Sequence, residues 1–391
     1  MASNQTKHCA NCGAEAWKRC LGCIDAPEYE DGDAAETVYC NHRCARRYWR
    51  THKSRCRLLQ KRITLSRVAH LLKATILAFR ECVFYQNMTL AELRDGILWL
   101  DFDRMGSVKL GAFPSQLTSD KNVKESALLN NQCMAAPCIL APLAGHLFPV
   151  AGITSVVKLD VAVNALIPYR VIGYDNWDPQ HSLLKLQVGD ESWILDITGC
   201  QYGYPDLITP FHKYEQNKVR GGVIKDEQYA GPYDTNDTTG DLQEIGSHRN
   251  GRARSARLVA EHNARKHFTA FVKTYFDDKS AKDFLSGPTS EFNERVAGFA
   301  DEVKALMTDF MEKRLGVLRY KLKVLASRSN PEFITVCERD PLDSRRGCGS
   351  GTGSTMTSFR FKYMVHGLGL DFHVTLLWNF TEYELVPKLT A

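Results

Sequence analysis

Four close pairs of metal-binding side chains open the chain: Cys9-x2-Cys12, Cys20-x2-Cys23, Cys40-x3-Cys44 and His52-x3-Cys56. Thiolate and imidazole are the usual donors in structural zinc sites, which take four of them tetrahedrally. Eight donors therefore suit two Zn(2+) ions. Two residues between cysteines form a tight knuckle that aims both sulfurs at one ion. Three residues between ligands place them at i and i+4, on one face of a helix. Cys44, Tyr48, His52 and Cys56 follow the second spacing, so a helix over about residues 41–56 can serve both sites. A segment this short buries little apolar surface, so metal binding has to supply its folding free energy. The spacing identifies the ligands without saying which four share an ion.

With Tyr39, Trp49 and Lys53 added, these residues resemble a MYND-type zinc finger over residues 9–56. The resemblance implies an interleaved cross-brace. One ion takes Cys9, Cys12, Cys40 and Cys44, and the other takes Cys20, Cys23, His52 and Cys56. It also implies structural zinc and an adaptor function, with a protein partner engaged as a peptide at Trp49. The family usually has glutamine after the sixth ligand and an acid just before the tryptophan. Ala45 and Tyr48 stand there, so Trp49 alone carries the peptide expectation. Asp25-Ala26-Pro27-Glu28-Tyr29 and the stretch 193–204 resemble a set of uncharacterised fungal proteins, which implies a shared architecture and no activity.

A second constellation lies mid-chain. Cys138 opens an apolar helix-like segment, His181 begins a strand, and Asp196 follows in the next strand. On alternation, His181 and Asp196 both lie opposite the apolar face of their hairpin. The order resembles transglutaminase-like and papain-like cysteine enzymes. The resemblance implies a thiolate nucleophile, a histidine that carries the proton and an acid that orients the imidazole, as in an amide hydrolase or acyltransferase. Ile139 and Leu183 stand where that family has tryptophan, and Cys133 competes with Cys138 for the nucleophile position.

The elements that must position these groups read as α+β: a small two-zinc finger, then a mixed helix and antiparallel-sheet body. Leu59, Ile63, Val68, Leu71, Leu72, Ile76 and Phe79 recur at helical spacing, so a helix continues from the finger or packs beside it. A further helix is expected near 124–129, running into 138–148. Leu184, Leu186 and Val188, then Trp193, Leu195 and Ile197, alternate around a turn-like Gly189-Asp190-Glu191, which predicts a hairpin. Two helices follow near 256–276 and 290–327, the second with a cap at Pro288-Thr289-Ser290, and strands close the chain over 359–385. The expected division is 1–60 for the finger, 61–224 for the body, 225–256 for a polar linker and 257–391 for a helical pair with terminal strands. Residues 340–358 form a Gly/Ser stretch with no lysine in the position that cradles phosphate.

Composition narrows the function classes. Apolar residues make up 44% and charged residues 24%, an ordinary globular balance that excludes collagen-like and wholly disordered chains. Seven of the 13 cysteines lie among the first 56 residues, an uneven set that makes a poor disulfide framework. With a polar amino terminus, this points to a reducing cytoplasmic or nuclear setting. The run 134–157 has no formally charged residue, yet Pro137, Pro142 and Pro149 interrupt it, so a buried helix entering a strand is expected over a membrane span. The formal charge is +5, and seven ionised thiolates with two divalent ions would bring it to about +2. Basic character concentrates at Arg43, Arg46, Arg47, Arg50, Lys53, Arg55, Arg57, Lys61 and Arg62. That stripe could bind phosphates as part of a nucleic-acid-associated regulator. The preferred reading is a solvated helix face, because no base-reading module accompanies it.

Overall fold

The computed structural model describes residues 7–85, 87–103, 110–172, 180–229, 251–314, 357–364, 371–378 and 385–390. The chain divides into two compact units, Met1–Gly316 and Val317–Ala391. The first is mixed helix and largely antiparallel sheet. It begins with a two-stranded ribbon, β1 (Lys18–Arg19) on β2 (Val38–Tyr39), paired Lys18 to Tyr39 and Arg19 to Val38. Helix α1 (His42–Cys82) then runs without a break for 41 residues, and the finger/body boundary expected at residue 60 falls inside it. Asn41 caps this helix, its Oδ1 accepting from the Cys44 N–H at 3.0 Å. The early turns of α1 carry Cys44, His52 and Cys56. Its later turns bury Leu59, Leu65, Val68, Leu72, Ile76 and Phe79 at 0–1% exposure, so one rod joins the finger to the main core.

Past α1, β3 (Phe84–Tyr85) pairs with β6 (Leu110–Gly111). Between them β4 (Met88–Arg94) and β5 (Ile97–Phe102) form a hairpin. Its turn is Asp95-Gly96, both at positive φ (53° and 72°), the two-residue geometry whose twist matches the strands. Two helices follow where one continuous run was expected, α2 (Lys121–Leu129) and α3 (Ala135–Ala151). Asn131, at φ 54°, separates them. Helix α3 ends at Gly152, whose left-handed φ of 71° lets the chain turn directly into β7 (Ile153–Val163). The uncharged run 134–157 is thus a 17-residue helix entering a strand. Among the described residues no helix is long and apolar enough to cross a membrane.

β8 (Tyr169–Val171) pairs in parallel with β5. The predicted hairpin is β9 (Gln180–Val188) with β10 (Glu191–Leu195), paired with Trp193 on Leu186 and Leu195 on Leu184. It lies inside a five-stranded antiparallel sheet, completed by β11 (Ile208–Pro210) and β12 (Val219–Gln228), in the order β11-β10-β9-β7-β12. Leu184, Leu186, Val188, Trp193, Leu195 and Ile197 face the main core with α1 and α3. The other face is covered too: Leu183 and Ile194 pack with Tyr202, Tyr204 and Tyr214, the last on helix α4 (Phe211–Lys218). Helices α5 (Gly251–Asp278), α6 (Ala281–Phe284) and α7 (Thr289–Asp309) complete the main core through Phe268, Phe299 and Val303. Pro288 occupies the N-cap of α7 without a side-chain bond, so the cap expected there is absent.

In the second unit, β13 (Thr357–Met364), β14 (Asp371–Trp378) and β15 (Leu385–Thr390) form an antiparallel three-stranded sheet. The central part of the expected linker, 230–250, and most of the Gly/Ser stretch, 340–356, lie outside the described residues.

The finger is fastened to the body by one buried cation. Arg62 is 2% exposed and lies between two carboxylates. Nη1 and Nη2 donate to Asp33 at 2.8 and 2.6 Å, while Nε and Nη2 donate to Glu191 at 3.0–3.1 and 2.6 Å. The Tyr29 and Trp193 rings flank the guanidinium at 5.8 and 5.9 Å. Pro27 adds a carbonyl acceptor to Nη1. The segment Asp25–Tyr29 thus seats the finger loop on the turn end of the β9–β10 hairpin. Removing one partner of a buried, hydrogen-bonded ion pair typically costs about 3–5 kcal/mol, because the other charge stays buried. We expect Arg62→Met to lose about that much stability in a denaturant titration. Arg62→Lys should recover little of it, since an ammonium cannot bridge two carboxylates bidentately. A midpoint within about 0.5 kcal/mol of the parent protein, the range of an ordinary surface change, would contradict the clamp.

Candidate metal centres and a buried cysteine–histidine–aspartate chain

The ribbon, the loop between Cys23 and Cys40 and the first turns of α1 gather the eight ligands into two groups. Cys9, Cys12, Cys40 and Cys44 form one; Cys20, Cys23, His52 and Cys56 form the other. In each group the four donor atoms lie within 4.8 Å of one another, and each could hold a metal ion. The grouping is interleaved along the chain, and it is the partition that the finger resemblance implies. All seven cysteines are free thiols.

The spacings within each group bear on what ion fits. Thiolates about 2.3 Å from a tetrahedral ion stand about 3.8 Å apart, and an imidazole nitrogen stands slightly closer to them. In the first group Cys12–Cys40, Cys40–Cys44 and Cys44–Cys12 are 3.6, 3.5 and 3.7 Å. In the second, Cys20–Cys56 is 3.8 Å, and His52 Nε2 is 3.3 and 3.5 Å from Cys20 and Cys23. These are the edges of two tetrahedra, with all four corners of each supplied by protein.

The basic stripe does not survive as a unit. Arg62 is buried in the clamp, and Arg55 donates to the Asp33 and Ala35 carbonyls at 2.8 and 2.9 Å. The loop between the fourth and fifth ligands, acidic and without a basic residue, takes both of them. The other basic positions of the stripe are exposed on α1, as a solvated face requires.

The second constellation forms a chain, with one change of member. His181 opens β9 and Asp196 follows β10, and their side chains meet across the sheet with Nε2 2.8 Å from Asp196 Oδ1. Tyr214 of α4 donates to the other carboxylate oxygen at 2.9 Å. All three are buried. The aspartate fits because residue 199 is glycine: a Cβ there would lie 2.6 Å from Asp196 Oδ2. Tyr202 stacks edge-on against the imidazole at 4.9 Å. The thiol that meets the ring is that of Cys133. Cys138, in the first turn of α3, points its sulfur at the Met134 carbonyl at 3.4 Å. The Gln132 carbonyl accepts from the Ala136 N–H at 2.7 Å, so Cys133 lies in the turn that leads into α3, two residues before its first helical residue. Gln201 holds that turn by accepting from the Asn131 N–H at 3.1 Å.

The charges in this chain support one another. Burial disfavours the His181 cation, but the Asp196 carboxylate and Cys133 outweigh it and raise the imidazole to about 10. Burial raises the Cys133 thiol, while His181 and the Ser182 and Met134 backbone amides bring it below the ordinary thiol range. Burial likewise raises Asp196, and His181 and Tyr214 more than reverse the effect. No family model, curated protein or solved structure matches this chain.

Because four converging thiols need a cation, ion removal should act on the finger first. We expect a chelator, or Cys12→Ser, to shorten the helical signal of α1 and to open the 23–40 loop to limited proteolysis. Structural ions of this kind contribute about 10–16 kcal/mol in small fingers, far more than the rest of this segment can replace. Unchanged circular dichroism together with an unchanged cleavage pattern would contradict a metal-dependent finger.

Proposed function

We propose that the chain is a recruitment protein whose amino-terminal segment is a MYND-type finger holding two structural Zn(2+) ions. The observation that carries this reading is the pair of closed tetrads. Each has four protein donors at zinc–thiolate spacing, which leaves no coordination position for a substrate or a reactive water. A zinc ion so enclosed stabilises shape and does no chemistry of its own.

The shape so held presents one face suited to a peptide. Trp49 is 42% exposed, on the first turns of α1, beside a hollow also lined by Lys18, Arg19, Tyr39, His42 and Ala45. The edge of that hollow is β1, whose sheet has only two strands. An extended peptide could add to the ribbon edge through main-chain hydrogen bonds and place an apolar side chain on the indole. Trp17 and Leu21, 69% and 84% exposed, flank β1 and extend the apolar surface.

Panning a random peptide library against the zinc-loaded full chain tests this. We expect a recurring extended motif whose affinity falls about 30-fold or more in Trp49→Ala, as for a central aromatic anchor losing about 2 kcal/mol, with metal content unchanged. Failure to enrich any motif, or binding indifferent to Trp49, would contradict the recruitment reading.

A further inference from the structure

We propose that Cys133, His181 and Asp196 form a nucleophilic acyl-transfer centre, in which the Cys133 thiolate accepts an acyl group from a neutral amide or ester and passes it to water or a primary amine. Three observations independent of the finger carry this. First, the His181 ring uses only one nitrogen in a conventional hydrogen bond. Nε2 is on Asp196, while Nδ1 is buried with no well-formed hydrogen bond, on a ring whose other ionisable neighbour is Cys133. A histidine kept only for packing would be expected to satisfy both nitrogens when fully enclosed. Second, the aspartate is over-determined. Tyr214, Gly199 and the strand pairing hold its carboxylate against Nε2, which fixes a proton there and leaves Nδ1 as the nitrogen that exchanges a proton with the thiol. Third, Cys133 lies in the turn just before a 17-residue helix and is partly exposed, whereas the histidine and aspartate are enclosed. The nucleophile is therefore the least enclosed member of the chain. The adjoining Asn131, Met134 and Gln180 are exposed and uncharged, which suits a neutral acyl donor.

The chemistry balances without an outside oxidant or reductant. With the Cys133 proton already held on His181 Nδ1, the thiolate forms a C–S bond to the carbonyl carbon. The Met134 amide near the sulfur, at the positive end of α3, favours negative charge there. The tetrahedral centre collapses, the bond from carbon to nitrogen or oxygen breaks, and His181 returns the proton to the leaving amine or alcohol. Water or a primary amine then attacks the thioester, His181 removes its proton, the C–S bond breaks, and the thiolate–imidazolium pair is restored.

Peptide-resolved alkylation with iodoacetamide, on the zinc-loaded full chain, reads the thiol directly. The groups that face the thiol are His181 and the Ser182 and Met134 backbone amides, and behind the imidazole stands Asp196, on which Tyr214 and Lys218 act. A thiol of ordinary pKa, about 8.5, slows roughly 75-fold between pH 8 and pH 6. Cys133 should slow less than about threefold, because its thiolate stays paired with the imidazolium. His181→Gln and Asp196→Asn should restore the steep profile. Should those variants unfold, the parent protein's profile decides alone, and a 75-fold fall there overturns the proposal. The second arm uses p-nitrophenyl acetate. The parent chain should release a burst of one equivalent of p-nitrophenolate and carry the acetyl on the Cys133 peptide. Added glycinamide should speed turnover if the acceptor is an amine and leave it unchanged if the acceptor is water. Acetylation that persists in Cys133→Ser, or no acetyl on Cys133 in the parent chain, overturns it as well.

Discussion

Six thiols and one imidazole are held within 3.3–3.8 Å of their neighbours, with Cys9 within 4.8 Å of its group, and that crowding is the constraint on which the amino-terminal segment depends. Thiolates at such spacing repel, and as neutral thiols they contribute weak hydrogen bonds at most. A divalent ion at the centre of each group would turn the repulsion into attraction. With that balance in place the ribbon closes, Asn41 caps α1 and the helix takes its phase from Cys44, His52 and Cys56. The same helix places Arg62 some two turns past the last ligand, so metal binding and clamp formation are linked through one continuous rod.

The β9–β10 hairpin serves two purposes at opposite ends. Its turn end presents Glu191 and Trp193 to Arg62 and Tyr29, which fixes the finger loop. Its open end brings His181 and Asp196 together under Tyr202 and Tyr214. Both faces of the hairpin are buried, one by the α1–α3 core and one by the tyrosine cluster. Polar residues on the second face must therefore satisfy one another, and the imidazole, carboxylate and phenol do so except at Nδ1.

Local patterns in the sequence read well, and contacts across long separations did not. The eight ligands are legible because each pair lies within five residues. The hairpin is legible because Leu184, Leu186 and Val188 alternate with polar neighbours. Cys133 is harder to single out from Cys138. The start of α3 is set by Gln201, 70 residues away, holding the Asn131 amide, and no capping side chain marks it. Arg62 reads as one more member of a basic run, since its partners lie 29 residues before it and 129 after. The β4–β5 hairpin was missed although Asp95-Gly96, at the centre of an alternating stretch, is a strong turn signal.

The most direct measurement is the zinc-to-protein ratio of the purified chain, by elemental analysis after gel filtration in the absence of added metal. The two closed tetrads call for two equivalents of zinc per chain. A ratio well below two would mean that the crowded sulfurs are held some other way, and the account of the finger, its helix and its recruiting face would fail with it.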